Sequence, residues 1–297
     1  MTLALDGTAA LGAIVALRMR VANVDGRLAF ANGGGFVDAC EASAGRFGPD
    51  PQSVYDRWDE FSEWASSATT GLGEEVAPER LGPPAPAPRQ VFAVALNYPE
   101  HAAEGSMATP EVPLIFTKFP TCLVGARASV ALATPFVDWE IELVAVIARR
   151  AVAVAEEAAW DHVAGVTVGQ DLSARDVQFT GPAPQFSLAK SFPGFGPTGP
   201  WLLSSDEPAA RAELELECLR NGERVQRETT GAMTFSVAQL IAYVSGICPL
   251  LPGDLLFTGT PSGVGSRREA PVYLKAGDEL VSAISGIGEI RQTFYDA

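Results

Sequence analysis

Residues 137–147 read VDWEIELVAVI and carry the strongest signal for the fold and the chemistry of this chain. The last four residues, VAVI, are apolar at every position, which is typical of a strand buried on both faces. Before them the side chains alternate, so Asp138, Glu140 and Glu142 are predicted to share one face of the strand. Buried carboxylates on one face repel one another unless a cation neutralises them. A solvated edge strand is the alternative, but the apolar continuation favours a metal site.

A second segment, residues 163–172 (VAGVTVGQDL), predicts an apolar strand that ends near Asp171, which is a candidate third oxygen ligand. Arg175 and Gln178 follow one helical turn apart and are placed to face an anionic or carbonyl group together. The alternative for this segment is a capped helix with an ordinary salt bridge.

Residues 95–104 (ALNYPEHAAE) place His101 three positions before Glu104, so the two side chains meet on a helix or turn. A carboxylate that orients an imidazole makes a general base that can deprotonate water near neutral pH. A partly exposed surface pair is the alternative. The other histidine of the chain, His162, lies among predicted helix-end residues and is interpreted as structural.

Two segments rich in glycine and proline add candidate binding groups. Lys190 opens residues 189–201 (AKSFPGFGPTGPW) and can supply positive charge to a negative substrate or an oxyanion, although a solvated lysine is the alternative. In residues 252–265 (PGDLLFTGTPSGVG), Gly259 allows the backbone to approach a ligand closely and Thr260 offers a hydroxyl group.

The composition narrows the class of protein. The chain has 297 residues, 47% hydrophobic and 19% charged, so it can bury a sizeable core and is not a disordered chain. Its net charge of −15, without a basic cluster, argues against binding to nucleic acid or to anionic membranes. No apolar run approaches the ~20 residues of a membrane-spanning helix. The same charge repels acidic substrates unless a cation or local basic groups intervene.

The numbers of cysteines and histidines limit which metals and which redox chemistry the chain can support. The four cysteines, Cys40, Cys122, Cys218 and Cys248, are far apart and are predicted to be reduced residues of a cytoplasmic protein. Only two histidines are present, which excludes a three-histidine zinc site and favours Mg²⁺ or Mn²⁺ held mainly by carboxylates.

The chain is predicted to divide at residues 83–88 (PPAPAP), because such a run is stiff and cannot pair in a sheet. Residues 1–88 then form a small N-terminal domain, with a hairpin around Asp25-Gly26 and a helix over 50–68. Residues 1–18 carry an apolar run with arginines after it, the wrong order for a secretory signal. Either Met19 is the biological start, or this stretch is an extra N-terminal extension.

Residues 89–297 are predicted to form the second domain, mostly from short strands. The strand-like runs are residues 91–96, 114–119, 141–148, 163–172, 214–219, 254–259 and 279–284, and helices are predicted over 155–161 and 236–245. The pattern predicts a sandwich or barrel with few helices.

Seven segments, in their order and spacing over residues 91–291, resemble the fumarylacetoacetate hydrolase superfamily. They are LNYPEHAAE, PLIFTKFP, VDWEIELVAVIARR, VAGVTVGQDLSARDVQ, AKSFPGFGPTGPW, FSVAQLIAYVSG and PGDLLFTGTPSGVG. The resemblance implies an α+β, predominantly β fold, with a mixed β-sandwich roll or barrel as the C-terminal domain beside a small N-terminal α/β domain. It also implies a homodimer.

The resemblance further implies roles at matching positions. Glu140, Glu142 and Asp171 match metal ligands for Mg²⁺ or Mn²⁺, His101 and Glu104 match the pair that activates water, and Lys190 matches the lysine that stabilises the oxyanion. Tyr98, Arg175, Gln178 and Thr260 match substrate-contacting positions, with Gly259 beside them. Two positions depart from the pattern: Gln170 stands where relatives often have Asn, and Pro193 where they often have Asp.

The implied function is metal-dependent hydrolysis of a C–C bond in a dicarbonyl acid of the acylpyruvate or fumarylpyruvate type. Alternatives within the family are an oxaloacetate-type decarboxylase and an isomerase or decarboxylase of aromatic catabolism. An alternative of another class is a non-catalytic protein that binds small keto acids. The expected partner is a small-molecule keto acid, with neither nucleic acid nor membrane.

Overall fold

The structure is a computed structural model that describes residues 19–32, 34–68 and 72–297. The prediction about residues 1–18 therefore lies outside the described residues. Within the described ranges, we find no helix with the length and apolarity that crossing a membrane requires. The four cysteines are free; Cys122 and Cys218 are buried, and Cys40 and Cys248 are half-buried.

Strands form most of the regular structure. In chain order they are Arg20–Val24 (β1), Arg27–Asn32 (β2), Gly35–Asp38 (β3), Leu81–Gly82 (β4), Val91–Ala95 (β5), Leu114–Lys118 (β6), Leu123–Val124 (β7), Arg127–Leu132 (β8), Val137–Asp138 (β9), Ile141–Ile147 (β10), Val163–Gln170 (β11), Ser173–Ala174 (β12), Gly196–Ser204 (β13), Glu215–Arg220 (β14), Glu223–Thr229 (β15), Leu255–Phe257 (β16), Glu279–Ile284 (β17) and Gly288–Asp296 (β18). The α-helices are Ala39–Ala42 (α1), Trp58–Ser67 (α2), Pro99–Glu104 (α3), Arg175–Gln178 (α4), Phe186–Ala189 (α5) and Val237–Ser245 (α6). Short 3-10 helices cover Gln52–Arg57, Pro78–Arg80, Pro120–Cys122, Glu156–His162, Pro208–Arg211, Thr230–Ala232 and Gly265–Arg267.

Two sheets pack face to face. The large sheet runs β3-β2-β1-β13-β11-β10-β16-β5-β6, and the smaller sheet runs β15-β14-β17-β18-β8. Both are mixed, because β16 pairs with β5 and β18 with β8 in parallel while most other pairs are antiparallel. Apolar side chains of β10 and β11 pack against those of β14 and β17 to form the core between the sheets. The predicted α+β, predominantly β fold is confirmed.

Strand β10 lies at the centre of the large sheet and is buried along its whole length, as its sequence predicts. Ile141 and Leu143 face the core between the two sheets, whereas Val144 and Val146 face a second core on the other side of the large sheet. Because side chains alternate along a strand, Glu142 points to the same side as Val144 and Val146. The fold therefore presents Glu142 on the outer face of the large sheet.

The N-terminal residues supply most of this second core. Strand β1 pairs with β13, so β1, β2 and β3 extend the large sheet, and α2 covers its outer face. The predicted hairpin is confirmed: Asp25 and Gly26 adopt φ values of 51° and 80°, as a two-residue turn of this kind requires. The division at residues 83–88 stays a prediction, and the sheet and the second core contain residues from both sides of it.

Some predicted elements differ in kind or length. A 3-10 helix, Gln52–Arg57, precedes α2, and residues 155–161 fall in the 3-10 helix Glu156–His162 rather than an α-helix. The strand predicted over 254–259 ends at Phe257. It ends there because Gly259 turns away with a φ of 95° and donates its N–H to Glu142.

Phe61 anchors the second core and offers a test of how the N-terminal residues fold. Its ring is fully buried against Phe30 and Phe47. We expect Phe61→Ala to lower the free energy of unfolding by about 3–5 kcal/mol, measured by urea denaturation. Because this core continues into the large sheet, we expect one cooperative transition, and a separate early transition would contradict that view. Phe119→Ala, at a ring that is 49% exposed, is the control, with an expected change within about 0.5 kcal/mol.

Candidate active site

The pairing of β10 with β11 brings three carboxylates together. Ile141 lies opposite Gln170, and the Asp171 N–H donates to the Glu140 carbonyl at 2.9 Å, so Asp171 lies beside Glu140. One carboxylate oxygen from each of Glu140, Glu142 and Asp171 lies within 4.8 Å of the others, and all three residues are buried. We call this group the acidic triad. Its members are the predicted metal ligands.

Asp138 does not join the acidic triad, which corrects the expectation that it shares a face with Glu140 and Glu142. Its carboxylate accepts from Arg175 Nε at 2.9 Å and from the N–H groups of Gly265 and Ser266 at 2.7 and 3.0 Å. The physical reason is that β9 ends at Asp138 and β10 begins only at Ile141, so the alternation does not continue across the break.

Burial and mutual repulsion make the acidic triad electrostatically unfavourable. Burial raises the pKa of Glu142 well above its ordinary value, and the neighbouring Asp171 and Glu140 carboxylates raise it further. Burial would also raise the pKa of Glu140, but the charges of Lys190 and Arg175 outweigh it and lower that pKa. Glu142 is therefore the carboxylate that its surroundings stabilise least in the charged form.

The buried carboxylates around the acidic triad outnumber the buried cations in the described part of the chain. Among the described residues, this region buries the carboxylates of Asp138, Glu140, Glu142 and Asp171 and the cations of Lys118, Arg175 and Lys190. One negative charge is thus left without a compensating cation. Three convergent carboxylates are the oxygen donors that Mg²⁺ and Mn²⁺ prefer, so the residues fit a hard dication.

Lys190 lies between two members of the acidic triad. Its Nζ donates to Glu140 Oε2 at 2.7 Å and to Asp171 Oδ2 at 2.6 Å. Burial opposes the charge of Lys190, but these two carboxylates outweigh it and raise its pKa. The side chain is therefore held as a cation at the centre of the site.

Lys118 is a site residue that the sequence analysis missed. Its buried Nζ donates to Asp171 Oδ1 at 2.6 Å, to the Phe195 carbonyl at 3.1 Å and to the Lys190 carbonyl. It ends β6 in phase with Phe116, which lines the cavity described below. The sequence did contain a signal for this role, because Lys118 falls on the same face of its predicted strand as the apolar Phe116.

His101 and Glu104 meet on α3. Nδ1 of His101 lies 2.8 Å from Glu104 Oε1, and Glu104 Oε2 accepts the Gly263 N–H at 2.9 Å. The carboxylate is therefore held from two sides. With Nδ1–H donating to Glu104, the tautomer leaves Nε2 of His101 free to accept a proton.

A cavity of about 450 Å³ opens beside the acidic triad. Six predicted site residues line it: His101, Glu140, Arg175, Gln178, Lys190 and Thr260. Arg175 is fixed there because its guanidinium donates to Asp138, to Glu140 and to Gln178 Oε1. Most of the remaining lining is apolar, including Phe116 and Phe186.

Tyr98 and Gly259 are not among the residues that line this cavity. Tyr98 is buried, its hydroxyl has no hydrogen-bond partner among the described residues, and burial together with Glu142 raises its pKa. Gly259 donates its N–H to Glu142 Oε2 at 2.7 Å. A Cβ at this glycine would lie 2.7 Å from the Asn97 Cβ, so a side chain is excluded there. The role predicted for both, substrate contact, stays a prediction.

Two glutamines fix the backbone beneath the site. Gln170 Oε1 accepts the Glu140 N–H at 2.8 Å. The glutamine that stands where relatives often have Asn therefore holds the backbone of a triad residue in place. Gln226 accepts the Ile141 N–H at 3.0 Å and donates to the Thr260 hydroxyl at 2.8 Å. Neither role was predicted, because each depends on strands that are distant in sequence.

Comparison with known proteins agrees with this geometry. Residues 90–295 match the family model for the C-terminal region of fumarylacetoacetate (FAA) hydrolase. The chain belongs to the fumarylacetoacetate hydrolase family. The resemblance stated from the sequence motifs is thereby confirmed, and the chain is a member of a family of enzymes.

Individual relatives span several named activities. The human mitochondrial oxaloacetate tautomerase FAHD2A is 41% identical over 209 residues, covering 70% of this chain and 67% of the relative. The crystal structure of a candidate HpcE protein from Mycobacterium smegmatis is 50% identical, with a TM-score of 0.90 over 94% of this chain and 100% of that chain. Fumarylpyruvate hydrolase from Pseudomonas aeruginosa, in complex with Mn²⁺ and pyruvate, is 32% identical, with a TM-score of 0.63 over 70% of this chain and 90% of that chain.

The metal site can be tested without an activity assay. Glu142→Gln removes one oxygen ligand, so we expect the affinity for Mn²⁺, measured by electron paramagnetic resonance of the free ion, to fall at least about tenfold. Without metal, we expect the variant to be no less thermally stable than the wild type, because it removes a buried charge that lacks a cation. Millimolar Mn²⁺ should then raise the melting temperature of the wild type more than that of the variant.

The control for this experiment is Glu100→Gln, at an exposed neighbour of His101 on α3. It removes the same charge outside the acidic triad and should leave Mn²⁺ affinity unchanged. Wild-type Mn²⁺ affinity in Glu142→Gln would contradict the assignment of the triad.

Proposed function

We propose that this chain is a divalent-metal-dependent hydrolase that cleaves a C–C bond in a dicarbonyl acid of the acylpyruvate or fumarylpyruvate type. The observation that carries the proposal is the position of His101. It is held by Glu104 and lines the same cavity as Glu140 of the acidic triad and Lys190. A base, a cation and one carboxylate of the acidic triad therefore face one space.

The acidic triad would hold Mg²⁺ or Mn²⁺, which would supply Lewis-acid polarisation of a bound keto acid and would stabilise an enolate. The substrate is then oriented by groups of the chain. Arg175 and Gln178, which line the cavity as a hydrogen-bonded pair, face the carboxylate end of a keto acid. Thr260 offers its hydroxyl from the opposite segment.

The reaction itself needs a base and a positive charge. Nε2 of His101 takes a proton from water, and the resulting hydroxide adds to the carbonyl carbon distal to the pyruvoyl group. Lys190 stabilises the negative oxygen that forms. The bond between that carbon and the neighbouring CH₂ breaks, and its electron pair leaves with the pyruvate enolate. His101 then returns its proton to the CH₂ carbon, which gives pyruvate beside a carboxylic acid and restores the base.

The comparison with fumarylpyruvate hydrolase supports this assignment. That enzyme, as solved, contains Mn²⁺ and pyruvate, which is the product expected here. The expected partner is a small-molecule keto acid. A homodimer and a cytoplasmic location stay predictions.

A second candidate is keto–enol tautomerisation of oxaloacetate, favoured by the 41% identity to human oxaloacetate tautomerase FAHD2A. It would use the same metal and base but would move a proton between carbon and oxygen without consuming water. The two reactions differ in products, since only hydrolysis releases a second acid.

A substrate panel separates the candidates. We expect acetylpyruvate with Mg²⁺ or Mn²⁺ to lose its enol absorbance and to yield pyruvate and acetate, identified by nuclear magnetic resonance, and a chelator should abolish the reaction. Turnover of oxaloacetate with no acid released from any acylpyruvate would support the tautomerase instead. Binding of both compounds without turnover would identify a keto-acid-binding protein.

His101 provides the direct test of the base. We expect His101→Ala to lower kcat for acetylpyruvate by about 10²–10⁴-fold while Mn²⁺ affinity stays at the wild-type value. The control is His162→Ala, which changes the only other histidine of the chain, a residue that does not line the cavity. A near-wild-type rate for His101→Ala would reject the assignment.

A further inference from the structure

The cavity is lined by one cation that the proposed mechanism does not use. Arg175 and Lys190 are both paired with carboxylates of the site, and His101 is paired with Glu104. Arg267 also lines the cavity. Among the described residues, no carboxylate forms an ion pair with its guanidinium, which lies over the Phe179 ring at 5.7 Å from the centroid.

Arg267 is held in place by the same residue that orients Arg175. It ends the 3-10 helix Gly265–Arg267, and the Asp138 carboxylate accepts the N–H groups of Gly265 and Ser266. The backbone that carries Arg267 is thereby tied to the floor of the site. The start of the Arg267 side chain is therefore fixed, and its guanidinium rests against the Phe179 ring.

The surroundings of Arg267 mark the outer end of the cavity. Arg267 itself is exposed, and the exposed apolar residues Met107, Val112, Leu114 and Phe179 also line the cavity. Glu140 and Lys190, in contrast, are buried. A long substrate held at the acidic triad would therefore extend through an apolar passage toward one positive charge.

The net charge of the chain bears on which ligand Arg267 can bind. A net charge of −15 repels a second carboxylate on a substrate, and an apolar passage offers it no other partner. We propose that Arg267 is a specificity-determining residue that binds a carboxylate at the distal end of the substrate. The preferred substrates are then dicarboxylic keto acids rather than acylpyruvates with an uncharged end. The inference rests on the proposed function only in placing the keto-acid end at the triad.

Matched ligands test this without turnover. 2-Oxoadipate and 2-oxohexanoate have the same chain length and differ only in the distal carboxylate, as do 2-oxoglutarate and 2-oxopentanoate. None has the second carbonyl that C–C hydrolysis requires. Calorimetry with the Mn²⁺-loaded protein should show tighter binding of the dicarboxylate in at least one pair. Arg267→Gln should lower the affinity for the dicarboxylate about tenfold and leave the affinity for the monocarboxylate unchanged.

Arg268 offers a matched control. It is the next residue in the chain, but its guanidinium lies over the Trp139 ring at 5.6 Å from the centroid, and it does not line the cavity. Arg268→Gln removes the same charge and should keep the wild-type preference. The preference of the wild type should also weaken as salt rises, because Arg267 is exposed to solvent.

Two results would overturn the inference: a wild type that binds both members of each pair equally, or equal losses in Arg267→Gln and Arg268→Gln. Failure of the proposed function looks different. It appears as absence of acylpyruvate cleavage, and the binding comparison is independent of cleavage.

Discussion

The charge buried at one end of β10 and β11 is the constraint on which the rest of the structure depends. Four carboxylates meet three cations there, and burial multiplies the cost of the charge left over. Lys118 and Lys190 reach Asp171 from different segments, and Arg175 ties Asp138 to Glu140. A hard dication would complete this balance and leave the site positive, which suits an anionic substrate in an acidic protein.

The packing of the two sheets makes it possible to hold these carboxylates and cations close together. Strand β10 is covered on both faces, so its register with β11 and β16 is fixed by the apolar side chains of Ile141 and of residues 143–147. The charged groups lie where this packing ends, at Glu140 and Asp171. A rigid apolar strand thus holds carboxylates together that would separate on a flexible loop.

Local patterns in the sequence predicted much of the fold and of the site. The rest depends on contacts between residues far apart in the sequence, which local patterns do not contain. The alternation in 137–147 predicted the central strand and Glu142, and the spacing of His101 and Glu104 predicted their contact. Alternation could not predict the break after Asp138, because the residues that capture its carboxylate, Gly265 and Ser266, lie far along the chain. Asp171 and Phe195, the partners of Lys118, were hidden for the same reason, although the place of Lys118 on its strand was not.

The capture of Asp138 also connects two parts of the site that the sequence presents as separate. One carboxylate orients Arg175, which we propose binds the keto-acid end, and fixes the turn that precedes Arg267 at the outer end of the cavity. The distance between the Arg175 guanidinium and the backbone of Arg267 is therefore set by one buried side chain rather than by two independent loops. Moving Arg175, or the backbone turn that precedes Arg267, requires breaking hydrogen bonds to a charged group buried in the core, so the structure favours substrates whose two ends match this spacing.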